Sequence, residues 1–227
     1  MSNKPFEKQR GSLVQALTVE NIIRSPEVAK AMRTVPREIF LPENVKEGAY
    51  IDTPLPIGFG QTISAPHMVA LMAEALELEI GQKVLEIGSG SGYNAAVLAE
   101  IVAPRTSGKK GHVYTIEIVP KLYVFAKKNI DSLGYNDSVT IILGDGSVSC
   151  LEGAPYDRIM VTAAAPEVLK ALIEELKVNG IVVIPVGRAY FYQELIKVRK
   201  EAENKASSQS LGGVAFVPLI GEKGWKV

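Results

Sequence analysis

Cysteine is nearly absent. Cys150 stands alone in 227 residues, which excludes an internal disulfide framework and fits a reducing cytoplasm. Only two histidines occur, His67 and His112, so there is no zinc-ligand cluster and no metal is expected. Charge of one sign is lacking too: Lys plus Arg and Asp plus Glu each number 25, leaving no global field to draw nucleic acid or an anionic membrane. No apolar run approaches the ~20 residues of a membrane span, and residues 1–10 lack the apolar core of a signal peptide. The expectation is a soluble cytoplasmic protein with neither a membrane nor a nucleic-acid partner.

The chain does have apolar content, 47% by residue, enough for one sizeable core. It is organised around Val84-Leu85-Glu86-Ile87-Gly88-Ser89-Gly90-Ser91-Gly92, an apolar run that breaks into alternating glycines. Val84, Leu85 and Ile87 suit a strand covered on both faces, and the glycines let a ligand approach bare backbone. Residues 95–100 follow as a helix start, so the stretch is a strand, ligand loop and helix of the doubly wound kind. Tyr93 stands where the pyrophosphate fingerprint needs its next glycine, which tilts the ligand away from a dinucleotide. S-adenosylmethionine has no pyrophosphate and suits such a loop.

Its ribose requires an acid at the end of a second strand. His112-Val113-Tyr114-Thr115-Ile116-Glu117 supplies one in Glu117. The interval exceeds the ~20 residues usual for this acid, and the polar, basic loop at residues 104–111 accounts for the excess. Beyond it the pattern predicts a helix over 120–133 closed by Gly134, strands over 139–143, 156–161 and 180–185, and a helix over 166–176. The fold class expected is α/β, a doubly wound and mostly parallel sheet. Residues 191–199 and 214–219 read as strands joined by a flexible polar stretch at 201–213, an antiparallel end to the sheet.

Before the glycines, residues 5–35 read as helices, with Ser25-Pro26-Glu27 a start signal. Residues 41–60 read as a long ordered loop, and residues 68–76 as a helix capped by Ser64 or Ala65. The division expected is an N-terminal helical and loop cap at 1–80, a ligand-binding core at 81–190 and completing strands at 191–227, in one compact domain. Asp145 in Gly144-Asp145-Gly146 falls on the same sheet edge as Gly88 and Glu117, where its carboxylate could accept from an adenine amino group. A plain turn aspartate is the alternative.

Four stretches together resemble the protein-L-isoaspartate O-methyltransferase family: Gly60-Gln61-Thr62-Ile63-Ser64-Ala65-Pro66-His67-Met68, residues 84–93, Gly144-Asp145-Gly146 and Phe216-Val217-Pro218-Leu219. The resemblance implies a seven-stranded Rossmann-like class I methyltransferase with a permuted order of the last strands. It implies methyl transfer from S-adenosylmethionine to the α-carboxylate of L-isoaspartyl residues in damaged proteins and peptides, with S-adenosylhomocysteine as product. It carries cofactor contacts to Thr62, Ile63, Ser64, Gly88, Gly90, Glu117, Asp145 and Gly146. It makes Ser64 the active-site residue and puts Ile57, Pro66, His67, Val214 and Phe216 beside the substrate, in a protein expected to act as a monomer. Two rivals remain at this point: a methyltransferase of another acceptor, and a non-catalytic S-adenosylmethionine binder.

Overall fold

The computed structural model describes residues 4–226. Helices α1 (Lys4–Val19) and α2 (Pro26–Thr34) open the chain. Ser25 caps α2 by accepting the Val28 N–H at 3.3 Å, and Pro26 occupies the first turn. The long segment after α2 is ordered by two short 3-10 turns at Arg37–Phe40 and Glu43–Gly48 and by the hairpin of β1 (Leu55–Gly58) and β2 (Gln61–Ile63). Then comes α3 (Pro66–Ala75), an apolar helix.

The core alternates as expected: β3 (Lys83–Ile87), α4 (Tyr93–Val102), β4 (His112–Glu117), α5 (Pro120–Ser132), β5 (Val139–Leu143), β6 (Tyr156–Val161), α6 (Lys170–Glu174) and β7 (Leu176–Gly187). A final hairpin, β8 (Gln193–Ala202) and β9 (Lys205–Val214), completes a seven-stranded sheet of order β5-β4-β3-β6-β7-β8-β9. The strands from β5 to β7 pair in parallel, while β8 and β9 run antiparallel. The order reverses at β3, so the crevice beyond Ile87 lies between its two neighbours, β4 and β6, where open sheets of this kind take ligands.

Two expectations are corrected here. The helix over 166–176 shrinks to α6: Ala164 and Ala165 bridge to Pro218 and Val186, the backbone is still extended at Leu169, and Leu176 already opens β7. The stretch 201–213 is mostly strand: β9 pairs with β8 from Lys205 to Val214, while residues 215–219 make only an isolated bridge at Pro218. Residues 205–210 of this edge strand have both faces in solvent and need no apolar alternation. One apolar core joins Leu17, Met32 and Phe40 of the N-terminal segment to Val84, Leu98 and Val183 of the sheet layers.

Candidate active site

Parallel pairing brings the carboxyl ends of β3, β4 and β6 to one edge, with Ile87 level with Ile116 on one side and Val161 on the other. Gly88, φ +97°, turns the chain immediately past β3, and its N–H donates to Ile116 O at 2.9 Å. The turn is locked from the far side by Thr162, whose hydroxyl lies 2.9 Å from Ile87 O and 2.8 Å from Gly88 O. A Cβ at Gly88 would collide with that hydroxyl, so glycine is required for packing as well as for φ. Ahead of the loop, the buried guanidinium of Arg37 lies 5.0 Å over the ring of Tyr93, the first residue of α4.

Glu117, nearly buried at the end of β4, has both carboxylate oxygens fixed. Oε2 accepts from the Gly90 N–H at 2.8 Å and Oε1 from the Val119 N–H at 2.9 Å. Burial pushes its carboxyl above the ordinary range, and the backbone N–H groups of Val119, Gly90 and Ile118 pull it back. Each oxygen keeps a lone pair for a ligand hydroxyl. Around it opens a cavity of ≈ 380 Å³ with apolar walls from Ile116, Ile118, Pro120 and Leu219, and with Gln61, Thr62, Gly88, Gly90, Gly146 and Thr162 on its rim. The β1–β2 hairpin overhangs this side, its tip residue Phe59 5.2 Å beneath the Lys121 ammonium.

Two further spaces adjoin it. A recess of ≈ 30 Å³ lies between Ile63, Ser64, the glycine loop and Asn94. A groove of ≈ 510 Å³ runs past Ser64, His67, Val214 and Phe216. Thr62 and Thr162 line all three spaces. Whatever fills the cavity around Glu117 therefore meets whatever lies in the groove at these two residues.

Ser64 stands just before α3, where an N-cap serine would spend its hydroxyl on the helix. It does not. Ala65 is the cap residue, without a side-chain hydrogen bond, and among the described residues nothing engages the Ser64 hydroxyl. The acceptor comes from elsewhere: Asp52, in the loop before β1, takes the His67 backbone N–H at 2.8 Å and lies 3.0 Å from its ring Nδ1. Ser64 and His67 thus face the groove, as do Val214 and Phe216, while Pro66 and Ile57 do not line it. Pro66 sets the first turn of α3, and Ile57 packs against the backbone at Gly90.

Gly146 reaches the cavity rim, and its close approach to Ile87 leaves no space for a side chain. The Asp145 carboxylate accepts from the N–H groups of Ser147 at 2.8 Å and Glu222 at 2.7 Å, tying the last loop of the chain to the site. Sequence reasoning missed Thr162 and Asp52, neither of which sits in a motif, and gave no role to Gln61, which stands within the Gly60–Met68 stretch. It also missed the role of Glu86, whose fully buried carboxyl is pushed up to about 8 by desolvation. One of its oxygens accepts from Thr115 Oγ1 at 2.6 Å, Ser89 Oγ lies 2.7 Å from that hydroxyl, and the other oxygen has no partner among the described residues. Those described residues hold no cluster of metal ligands and no helix long and apolar enough to cross a membrane.

A glycine loop at the switch point of this sheet, an acid ending the next strand and an antiparallel last pair define a Rossmann-like class I methyltransferase. The sequence model of the protein-L-isoaspartate(D-aspartate) O-methyltransferase family matches residues 8–224, and the chain belongs to that family. A protein-L-isoaspartate O-methyltransferase of Staphylothermus marinus is 55% identical over 221 residues, covering 97% of this chain and 98% of the relative. One of Methanothermobacter thermautotrophicus is 53% identical over 218 residues, 96% and 98% of the two chains. Among solved structures, a protein-L-isoaspartate O-methyltransferase of Plasmodium falciparum in complex with S-adenosyl-L-homocysteine superposes with TM-score 0.80 at 30% identity, covering 93% of this chain and 98% of that one. Another protein of the same name gives TM-score 0.84 at 32% identity, covering 94% of this chain and 66% of that one.

Proposed function

We propose that the protein methylates the free α-carboxylate of L-isoaspartyl residues in damaged proteins and peptides, with S-adenosylmethionine as donor. The observation that carries this is the meeting of the ≈ 380 Å³ cavity and the open groove at Thr62 and Thr162, with the uncommitted hydroxyl of Ser64 beside them. The cavity fits the donor. Its apolar walls suit a purine, Glu117 offers oriented acceptors to a ribose, and the Ser91 hydroxyl, buried and unpartnered among the described residues, lines the recess where a polar amino-acid end would lie. Thr62, Ile63, Gly88, Gly90, Glu117, Asp145 and Gly146 are the residues we assign to holding it.

When bound, this donor supplies an electrophilic methyl on a sulfonium, which passes to a carboxylate oxygen and leaves S-adenosylhomocysteine. A carboxylate is already ionised at neutral pH, so the site needs no general base. Positioning does the work, and it is worth ~7–11 kcal/mol when reacting atoms are held in line. Ser64 donates a hydrogen bond to the substrate carboxylate and fixes its direction. His67, held by Asp52, and Phe216 shape the groove, while the backbone at Val214 offers main-chain hydrogen bonds that read no side chain. The assignments fall in one chain, which favours action as a monomer: of the described residues, those up to 80 cover the site and lend it Thr62 and Ile63, 81–190 supply the other donor contacts, and those from 191 on wall the groove.

The test is transfer of labelled methyl to two synthetic peptides that differ only in carrying L-isoaspartyl or L-aspartyl, with Ser64→Ala alongside. Base-labile label on the isoaspartyl peptide alone is expected, with a large kcat loss in the variant and unchanged S-adenosylhomocysteine affinity. Equal labelling of both peptides, or of neither, overturns the reading.

A further inference from the structure

Of eight tyrosines, six phenylalanines and one tryptophan, only Phe59, Tyr190, Phe191 and Tyr192 are exposed. Three of these four are consecutive, in the turn between β7 and β8, with 82%, 75% and 72% of their surfaces in solvent. Apolar surface of this kind, gathered rather than scattered, marks a contact site.

The turn is built, not slack. Gly187, ending β7, comes so close to the Tyr192 carbonyl that no side chain fits there. Phe191 N–H donates to Arg188 O at 3.1 Å, and Tyr190 holds φ +60°, a conformation that costs a bulky residue free energy. No internal packing of Tyr190 or Phe191 offsets that cost, since both point into solvent.

The turn is also continuous with the groove. Tyr192 lines it together with Ser64 and His67, and its ring lies over Gly213, where a Cβ would come within 3.3 Å of it. The next residue, Gln193, is buried and clamps the groove wall with both ends of its amide: Nε2 donates to Phe216 O at 3.0 Å and Oε1 accepts from Phe216 N at 2.6 Å. The aromatic lip is thereby fixed to the segment that faces the substrate.

We propose that Tyr190, Phe191 and Tyr192 form a lip that grips apolar side chains flanking the damaged residue in an extended substrate chain. This rests on the isoaspartyl reading above and deepens it. Groove backbone accepts any sequence, whereas the lip selects chains whose apolar side chains are exposed, the state of a protein locally unfolded by damage. Aromatic residues suit the task because they present large rigid contact area at small entropy cost.

The test uses two isoaspartyl peptides of equal length, one flanked by Leu and Trp, the other by Ser and Gly. They are assayed with wild type and with the double variant Tyr190→Ser/Phe191→Ser, which spares the groove-lining Tyr192, and Phe191→Ser alone serves as a milder companion. Wild type is expected to show a KM roughly tenfold lower for the apolar peptide. The double variant should lose that preference, with kcat and the KM of the polar peptide unchanged and the melting transition intact. A preference that survives in the variant overturns the proposal, as does an equal KM rise on both peptides. So does a variant whose only change is in self-association or vesicle binding. Wild type that methylates neither peptide overturns the isoaspartyl reading itself, and this inference with it.

Discussion

The Asp52 carboxylate caps α3 from outside the helix, accepting the His67 N–H at 2.8 Å across fifteen positions of chain. Through that bond the loop before β1 does the work of an N-cap side chain, and Ser64 is left free for the groove.

Replacing Asp52 tests this division of labour. Asp52→Ala should cost ~0.5–2 kcal/mol, the usual worth of a cap. At this chain length that lowers Tm by about 2–4 °C per kcal/mol. It should also reduce kcat, because the vacated helix end competes for the Ser64 hydroxyl. Asp52→Asn keeps an acceptor for the backbone N–H and should recover most of both. Calorimetry with steady-state kinetics on the same samples decides it, and a kcat for Asp52→Ala equal to wild type would separate the cap from the chemistry.

Glu117 carries the second prediction. Both its oxygens already accept backbone N–H groups, so Glu117→Gln must turn an amide NH₂ toward a donor at Gly90 or Val119. Loss of charge-assisted bonds of this kind is worth about 1.5–3 kcal/mol, so the Kd for S-adenosylhomocysteine should rise roughly 10- to 100-fold. Titration calorimetry measures it directly. An unchanged Kd would remove Glu117 from the donor site.

A third prediction concerns pH. Glu86 titrates at about 8 in the fold, against an ordinary 4.5, because burial penalises its charge. Its raised pKa means that the native state keeps a proton the unfolded chain has released. The associated stability is full below about pH 4.5, falls as pH rises by ~1.4 kcal/mol per unit at most, and levels off above about 8. Glu86→Gln cannot titrate. Urea midpoints of the two proteins from pH 5 to 9 should show wild type losing ground to the variant up to about pH 8 and then running parallel to it. A constant gap across that range would mean the carboxyl is not held neutral.

The basic loop at residues 104–111 has a structural use that predicts a mild phenotype. Arg105 donates to Leu133 O at 2.5 Å, at the carboxyl end of α5, and lies 5.4 Å over the Tyr135 ring. Arg105→Ala should cost about 0.5–1.5 kcal/mol and leave KM and kcat unchanged. A KM shift for peptide substrates at unchanged Tm would instead assign the loop to binding.

The glycine loop, Glu117 and the strands around them were legible because the signal is local: an apolar run, a breaker and an acid at a strand end. Residues acting across the chain gave no such signal. Thr162 meets Gly88 from 74 positions away, and its own neighbourhood, Thr162-Ala163-Ala164-Ala165, shows only small side chains. Asp52 lies among breakers in a stretch that reads as loop, and nothing there points to His67. The missed strand β9 has a related cause. Periodicity reports one buried face, and residues 205–210 have none, so hydrogen bonds to β8 alone define that part of the strand.

That open strand has a cost the molecule contains by composition. An unpaired edge invites another chain to add to it, most of all in a protein proposed to handle locally unfolded ones. Along β9 the edge presents Lys205, Ser207, Ser208, Gln209 and Ser210, and its pairing with β8 is broken by two irregularities. An added strand would bury polar side chains for little apolar return and would have to follow a bent template. That edge therefore resists becoming a seed for fibrils while the groove beside it stays open to extended chains.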